Sequence, residues 1–391
     1  MNFQPTTLNE RVDSLDILRG FSLLGILLVN MFGFYLPMPH ILDLNSWFTS
    51  AKDIIWHQTL DIYVQSSFYP LFSMLFGYGL AMQYMKAVRT GTNFYKFAPK
   101  RLIILLVLGL IHAFFIWWGD ILTMYAFCGF FLLMFIRFSG GWLLSFGIII
   151  NSLIHIFYIL IFALAGMMGA QYETPAVDIE LINSAITAYG IGSWTDAFAQ
   201  RLKDLSVQMS LGMWISSLVT ILPYMLIGAA AAKWRLIERA KDLKRFWIVI
   251  AIIFIAAGLF IKSTPYMFTR TYILDYLKIY VGGPILSIGY IAFIVSICLI
   301  PIVAKLLKPI AKAGRMSLTL YILQSIICTI IFYNFGFGLY GKVDVQMGTF
   351  IAIGIFIVQV IFAELWFTRF KQGPLELAIK EIIYKKILSE K

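Results

Sequence analysis

The residues of this sequence best suited to chemistry are a histidine and an aspartate inside an apolar region. His112 and Asp120 are eight residues apart in GLIHAFFIWWGD, so a continuous helix would put them on roughly one face, about 12 Å apart along its axis. A neutral histidine inside a membrane can act as a general base or proton relay, and it can equally be a hydrogen-bonded core residue. The pair predicts a base with a carboxylate partner, and the structural role is the alternative.

A second polar group lies on the first apolar segment. Asp16 and Arg19 are three residues apart, and Asn30 follows Arg19 by eleven residues, so all three fall on nearly one helical face. A charge at the centre of a span costs roughly 2.5–3.5 kcal/mol on insertion scales, and less near an end. The spacing predicts a polar stripe that faces the bundle interior. An arginine that reaches back to the membrane surface is the alternative.

Two more positions are expected to line the interior, and one histidine lies near the surface. In GRMSLTLYILQS, Arg315 begins a helix and Gln324 follows within the span, in a run of polar residues that predicts an interior face. His40 follows the first span in LPMPH and is expected at the outer surface, near a cavity mouth. No histidine has a metal-ligand spacing to Cys, Asp or Glu, so a metal site is not expected.

The composition places the chain in a membrane. Of the 391 residues, 60% are hydrophobic and 13% are charged, and the mean hydropathy is +0.84. A soluble core does not need so much apolar residue, so we predict one all-α integral membrane domain over residues 1–391, with about ten spans. The predicted spans are about 15–36, 66–85, 102–118, 121–136, 142–168, 209–232, 246–262, 279–301, 317–335 and 347–368.

The distribution of positive charge orients these spans. With the N-terminus inside, seven of the 31 Lys and Arg fall in outer segments and the other 24 fall in or beside inner ones. The seven are Lys52, Arg201, Lys203, Lys262, Arg270, Lys278 and Lys342. This asymmetry predicts that both termini lie in the cytoplasm. It also explains the net charge of +11, so the bilayer is the expected partner and nucleic acid is not.

Three segments outside the spans have helical spacing of apolar residues. Residues 41–64 and 194–208 predict external amphipathic helices, the second with Ser193 or Thr195 as its cap, and together they could roof an outward-opening cavity. Residues 371–391 predict a cytoplasmic amphipathic tail that begins its helix at Pro374 and lies on the anionic inner leaflet.

Five blocks of sequence occur in a familiar order. They are SLDILRGFSLLGILLVN, FYPLFSMLFGYGLAMQ, RLIILLVLGLIHAFFIWWGDILTMYA, GRMSLTLYILQSI and QGPLEL. On these blocks, which span nearly the whole chain, the sequence resembles the YeiB-like family of bacterial membrane proteins, the domain of unknown function 418. That family is loosely described as transport-related, so the resemblance implies kinship more than activity.

The start LDILRG is also similar, more distantly, to transmembrane acyltransferases of the acyltransferase-3 and heparan glucosaminide N-acetyltransferase types. The resemblance implies transfer of an acyl group from cytoplasmic acyl-CoA to a sugar or glycan beyond the membrane. In the first type a catalytic histidine ends the first span, where this chain has Asn30. The glucosaminide enzyme resembles this chain in having Asn there, and its histidine shortly after the span matches His40.

These features predict an acyltransferase-like protein of the bacterial cytoplasmic membrane. Acyl-CoA is the expected co-substrate, no other cofactor is expected, and the acceptor is an envelope or exported small molecule or glycan. The predicted catalytic residues are His112, Asp120 and His40, and the predicted binding residues are Asp16, Arg19, Asn30, Arg315 and Gln324. The alternative is a transporter or exporter of a small solute, in which the same polar stripe lines a pathway.

Overall fold

The computed structural model describes residues 12–41, 43–170, 172–173 and 178–389, without the side chains of 45–46 and 384–389. Regular structure in these ranges is entirely helical, as predicted. The α-helices are α1 (Asp13–Tyr35), α2 (Leu44–Trp47), α3 (Ala51–Tyr63), α4 (Phe68–Arg89), α5 (Ala98–Phe115), α6 (Leu122–Phe135), α7 (Gly140–Met167), α8 (Ile179–Gly190), α9 (Trp194–Gln208), α10 (Leu211–Thr220), α11 (Leu222–Lys233), α12 (Lys244–Met267), α13 (Tyr272–Leu277), α14 (Gly283–Cys298), α15 (Pro301–Leu306), α16 (Lys308–Arg315), α17 (Ser317–Phe332), α18 (Val345–Arg369) and α19 (Pro374–Ser389). A π-helical turn, Lys278–Gly282, joins α13 to α14.

A helix occupies each of the ten predicted spans, and seven helical stretches are long and apolar enough to cross a membrane. They are Asp13–Tyr35, Phe94–Phe115, Gly140–Met167, Leu211–Lys233, Lys244–Met267, Tyr272–Cys298 and Val345–Arg369. α16 and α17 would add an eighth, although they meet at 84°. α4 falls outside this set, and α6 has only 14 residues. The polytopic helical bundle is confirmed, while the count of ten and the inward termini stay predictions.

Glycines let pairs of helices approach until their backbones touch. A side-chain carbon on Gly77 of α4 would overlap the carbonyl of Met225 on α11, and one on Gly228 would overlap the carbonyl of Met74. Gly20 of α1 faces the carbonyl of Ile310 on α16 in the same way. Small residues at such crossings are typical of membrane helices, which gain stability from close packing rather than from hydrophobic burial.

The predicted amphipathic segments are helical. Residues 41–64 contain α2 and α3, with residue 42 outside the described residues, and 194–208 is α9. Ser193 is the cap, in a reciprocal capping box with Asp196. The sequence reasoning missed α8, which Asp178 caps. We call α2, α3, α8, α9 and the loop 333–344 the roof, because they pack together at one end of the bundle.

The tail helix α19 begins at Pro374, as predicted, and continues to Ser389. It packs against α17 and α5, and its position on the inner leaflet stays a prediction. The Glu376 carboxylate accepts hydrogen bonds from the backbone N–H groups of Leu318 and Thr319, at 2.9 and 3.2 Å. Glu376 therefore caps the start of α17. Two turns farther along α19, the side chain of Ile383 is buried.

Gly77→Ala is expected to lower the free energy of unfolding by about 1–3 kcal/mol, because the added methyl forces α4 away from α11. The measurement is thermal unfolding of the purified protein in detergent. Gly354→Ala is the control, since nothing lies within 4 Å of that position on α18 and alanine is the better helix former. Equal unfolding temperatures for the two variants would contradict the close crossing.

Candidate functional site

His112 and Asp120 meet where the chain turns between α5 and α6. Nδ1 of His112 lies 3.0 Å from Oδ1 of Asp120, and both side chains are fully buried. The expectation of a continuous helix with about 12 Å between them is wrong, because α5 ends at Phe115 and the chain folds back before α6. The chain turns at Gly119-Asp120, between the predicted spans 102–118 and 121–136, and this turn carries the carboxylate to the histidine.

The start of α6 fixes the orientation of this pair. Oδ2 of Asp120 accepts hydrogen bonds from the backbone N–H and the hydroxyl of Thr123, at 2.7 and 2.6 Å. In the tautomer whose Nδ1–H donates to Oδ1, Nε2 of a neutral ring carries no proton. This nitrogen is buried and has no hydrogen-bond partner among the described residues. Such a nitrogen can accept a proton from a substrate.

A cavity of about 850 Å³ runs along one face of α1. It extends from Val12 to Ile26, about 21 Å at 1.5 Å per residue. We call one end the cationic mouth, and the side chains that give it this charge are Arg19, Lys86, Arg89, Arg101, Arg235, Arg315, Lys371 and Lys380. The inner end is apolar and aromatic, and its walls include Leu23, Ile26, Phe72, Ile121, Leu122, Tyr125 and Tyr321.

Tyr321 connects the cavity to the histidine. Its side chain lines the inner end, and its ring centroid is 5.2 Å from that of His112. Its hydroxyl oxygen accepts a hydrogen bond of 3.3 Å from the backbone N–H of Ile121, which follows Asp120 directly. The His112–Asp120 pair therefore lies just behind the aromatic wall at the end of the cavity.

Three predicted binding residues line this cavity. Arg19 donates a hydrogen bond of 2.7 Å to Asp16, as their spacing predicted, and both side chains belong to the wall. The guanidinium of Arg315 lies 4.2 Å above the ring of Phe367 and donates to the carbonyl of Lys371 at 3.2 Å. The polar stripe of α1 thus does face the interior of the bundle.

The other two predicted binding residues lie elsewhere. Gln324 is buried between helices, where its amide donates to Gln359 of α18 at 2.9 Å and to the carbonyl of Leu23 at 3.5 Å. It joins helices rather than lining the cavity, because the wall of α17 is formed by Ser317, Leu318 and Tyr321. Asn30 is half-buried one turn beyond Ile26, on the same stripe but past the inner end.

His40 belongs to a second histidine–aspartate pair, in the roof. Its Nε2 lies 3.0 Å from Oδ1 of Asp204 on α9, and the amide of Gln200 donates to the same carboxylate at 2.9 Å. Tyr189 of α8 donates to Oδ2 at 2.6 Å. Burial raises the pKa of Asp204. The structure therefore does not join His40 to His112 in one site.

The remaining histidines have contacts of their own. Nδ1 of His155 lies 2.7 Å from the hydroxyl of Tyr276, and His57 packs between the rings of Phe32 and Phe48. Among the described residues, no group of three His, Cys, Asp or Glu side chains could hold a metal ion.

Sequence reasoning missed Thr123, Asp204 and Glu376 as parts of these sites, whereas Tyr321 belongs to the polar run after Arg315 that predicted an interior face. Thr123 and Glu376 each lie in one of the five sequence blocks. The blocks could therefore have pointed to these two positions, which the polarity of the residues alone did not. Asp204 is four residues after Gln200 on the polar face of α9, but nothing local pairs it with a histidine 164 residues away.

Comparison with known proteins assigns the family. The chain is 35% identical to "Uncharacterized protein YxaH" of Bacillus subtilis, covering 98% of this chain and 96% of the relative. It is 27% identical to "Uncharacterized protein YeiB" of Escherichia coli over 94% of each chain. A family model described as "Protein of unknown function (DUF418)" matches residues 231–386. The chain belongs to the YeiB-like DUF418 family.

The DUF418 model covers one side of the cavity. Residues 231–386 contain Arg315, Tyr321 and Glu376, whereas Arg19 and the His112–Asp120 pair precede that region. A third relative, "Uncharacterized 39.9 kDa protein in amylase 3'region" of Bacillus acidopullulyticus, is 27% identical over 98% of this chain and 96% of its own. The matches to these relatives therefore extend over nearly the whole chain, well beyond the region of the family model.

Glu376 gives the mouth of the cavity a pH-dependent stability. Burial raises the pKa of its carboxyl above the ordinary 4.5, so the folded protein favours the neutral form. The stabilising contribution is therefore full below pH 4.5 and is lost as the pH rises through the raised pKa. We expect the unfolding temperature of the wild type, minus that of Glu376→Gln, to fall as the pH rises above 4.5. Thermal scans of both proteins in detergent measure this difference, and a flat or rising difference would contradict the prediction.

Proposed function

We propose that this protein is an acyltransferase of the bacterial cytoplasmic membrane, which moves an acyl group from acyl-CoA to a small-molecule or glycan acceptor. The observation that carries the proposal is the cavity, which leads from a cationic mouth to an inner end directly in front of His112. The charge and the lining of the cavity support acyl-CoA as the donor. The histidine–aspartate pair supports the transfer reaction.

The charge of the cavity suits a ligand with phosphates at one end. Eight Lys and Arg side chains line the mouth, against the carboxylates of Asp16, Glu238 and Glu376. Phosphate oxygens form strong, charge-assisted hydrogen bonds with such cations. The inner end offers apolar and aromatic side chains, which suit an uncharged arm and a short acyl group. CoA thioesters combine these two properties in one molecule.

The predicted orientation gives the donor a compartment. Under the positive-inside rule the cationic mouth faces the cytoplasm, where acyl-CoA is made. The roof then lies on the outer face, above the inner end of the cavity. An acceptor that approaches from the roof side would meet the acyl group near His112. Only the acyl group would then cross the membrane.

The chemistry assigns different roles to the two residues of the pair. Nε2 of His112 removes the proton from an acceptor hydroxyl or amine as it attacks the thioester carbonyl. Asp120 holds the ring in the tautomer that this step needs and stabilises the imidazolium that forms. His40 is the second candidate base, but it lies in the roof with Asp204 rather than behind the cavity wall.

Acetyl-CoA binding is the first expected outcome. Arg89→Gln should weaken binding about tenfold, since a hydrogen bond to a charged group contributes roughly 1.5–3 kcal/mol. Arg89 lies on the last turn of α4 and lines the mouth, so its loss should leave the fold intact. Arg245→Gln is the matched control, because Arg245 is exposed at the start of α12 and lies outside the cavity. Titration calorimetry in detergent at low ionic strength measures both affinities.

A wild-type protein that binds no acetyl-CoA under these conditions would overturn the proposal. The second candidate, a small-solute transporter, would then be favoured by the same cavity, since a polar-to-apolar cavity inside a helix bundle could also hold a transported solute. Solute flux into proteoliposomes is the measurement for that function.

His112 should be needed for turnover but not for binding. We expect His112→Gln to lower the rate of CoA release from acetyl-CoA by about 10²–10⁴-fold, the usual contribution of a general base, with acetyl-CoA affinity unchanged. The assay follows the CoA thiol with D-glucosamine and with glycerol as probe acceptors. His155→Gln is the control, because His155 is also buried but binds Tyr276 away from the cavity. Equal loss in both variants would indicate a general structural effect.

A further inference from the structure

Two tyrosines stand at the inner end of the cavity, where the acyl group of a bound donor would lie. They are Tyr125 of α6 and Tyr321 of α17, and both side chains line the wall. Each is almost fully buried, at 1% and 5% exposure. Their hydroxyl groups make different hydrogen bonds, and this difference shows which of the two can donate its proton to a ligand.

The hydroxyl of Tyr125 is fully engaged with the protein. It donates to the backbone carbonyl of Tyr69 at 2.8 Å and lies 2.8 Å from the hydroxyl of Ser73. Both partners belong to α4, so the hydroxyl holds α6 against α4. A phenol with its proton already donated to a backbone carbonyl cannot donate it to a ligand.

The hydroxyl of Tyr321 keeps its proton available. Its oxygen accepts a hydrogen bond of 3.3 Å from the N–H of Ile121, and the described residues offer its proton no acceptor. The accepted bond fixes the position of the oxygen, and the contact of the ring with His112 fixes the plane of the side chain. A donor held in this way, at the buried end of a cavity, is ready for an acceptor atom of a ligand.

We infer that the Tyr321 hydroxyl donates a hydrogen bond to the carbonyl oxygen of the acyl donor and stabilises the negative charge that develops there. Tyr321 is thus a further catalytic residue, and this inference rests on the proposed function. The bond from Ile121 adds to the effect, because a donor that already accepts a hydrogen bond is a stronger donor.

The transfer step balances with the groups present. The acceptor oxygen or nitrogen bonds to the carbonyl carbon, its proton passes to Nε2 of His112, and the carbonyl electron pair moves onto the oxygen that Tyr321 holds. When this intermediate collapses, the carbon–sulfur bond breaks and the CoA sulfur takes the proton back from Nε2. The products are the acylated acceptor and the free CoA thiol, and no oxidant or reductant is needed.

Tyr321→Phe tests this role in the CoA-release assay. The substitution removes only the hydroxyl, so we expect kcat to fall about 10²-fold or more while KM for acetyl-CoA stays within about threefold. Tyr276→Phe is the control, because it removes the same atom outside the cavity, where the hydroxyl lies 2.7 Å from Nδ1 of His155, and it should keep kcat within about threefold. An unchanged kcat in Tyr321→Phe, or a higher KM with kcat unchanged, would overturn the assignment.

Infrared difference spectra of bound acetyl-CoA give a readout that needs no acceptor. With the carbonyl carbon isotopically labelled, the carbonyl stretching band should lie lower in the wild type and in Tyr276→Phe than in Tyr321→Phe, because a hydrogen bond weakens the carbonyl double bond. Bound acetyl-CoA with the same band in all three proteins would overturn the role of Tyr321 alone. Failure of the wild type to bind acetyl-CoA would overturn the proposed function and this inference with it.

Discussion

The contact between α1 and α16 is the constraint on which the rest of the site depends. Gly314 lies directly against the carbonyl of Asp16, and Gly20 against that of Ile310, so the two backbones touch without side chains between them. This contact places the start of α1 beside the end of α16. Arg19 and Arg315 consequently line the same mouth, although 296 positions separate them in the chain. Any larger residue at Gly314 would move the wall that carries Arg315.

A second contact, from the tail, supports the start of α17. α16 and α17 meet at 84°, so the first turn of α17 needs partners for its exposed backbone N–H groups. Glu376 supplies them from the tail, and its hydroxyl partner Thr319 also accepts a bond from the N–H of Leu375. Tyr321 follows one turn after Ser317. The GRMSLT and QGPLEL blocks are therefore two halves of one cap that positions the inner end of the cavity.

Local spacing made some of the site predictable. Asp16 and Arg19 lie on one face because a helix repeats every 3.6 residues, and Ser193 precedes a run of helical spacing that needs a cap. Asp120 was paired with His112 for the wrong reason, since the contact depends on a turn whose shape no periodicity describes. Gln324 has the polarity of a lining residue but is used between helices, where its amide donates to the side chain of Gln359 and to the carbonyl of Leu23. Contacts between distant segments, such as that of Asp204 with His40, leave no local pattern.

The two histidine–aspartate pairs differ in how many of their polar atoms have hydrogen-bond partners. In the roof, Asp204 receives bonds from Tyr189, Gln200 and His40, and the His40 side chain is still 10% exposed. Behind the cavity, Nε2 of His112 is buried and finds no partner in the part of the chain that the structure describes, and an unsatisfied buried polar atom costs roughly 1–3 kcal/mol. Hydrogen bonds to Thr123, and a Gly109 whose added carbon would lie 2.7 Å from Oδ2 of Asp120, hold the pair in this arrangement. Under the proposed acyl transfer, this nitrogen of a firmly held histidine is the base that meets the acceptor.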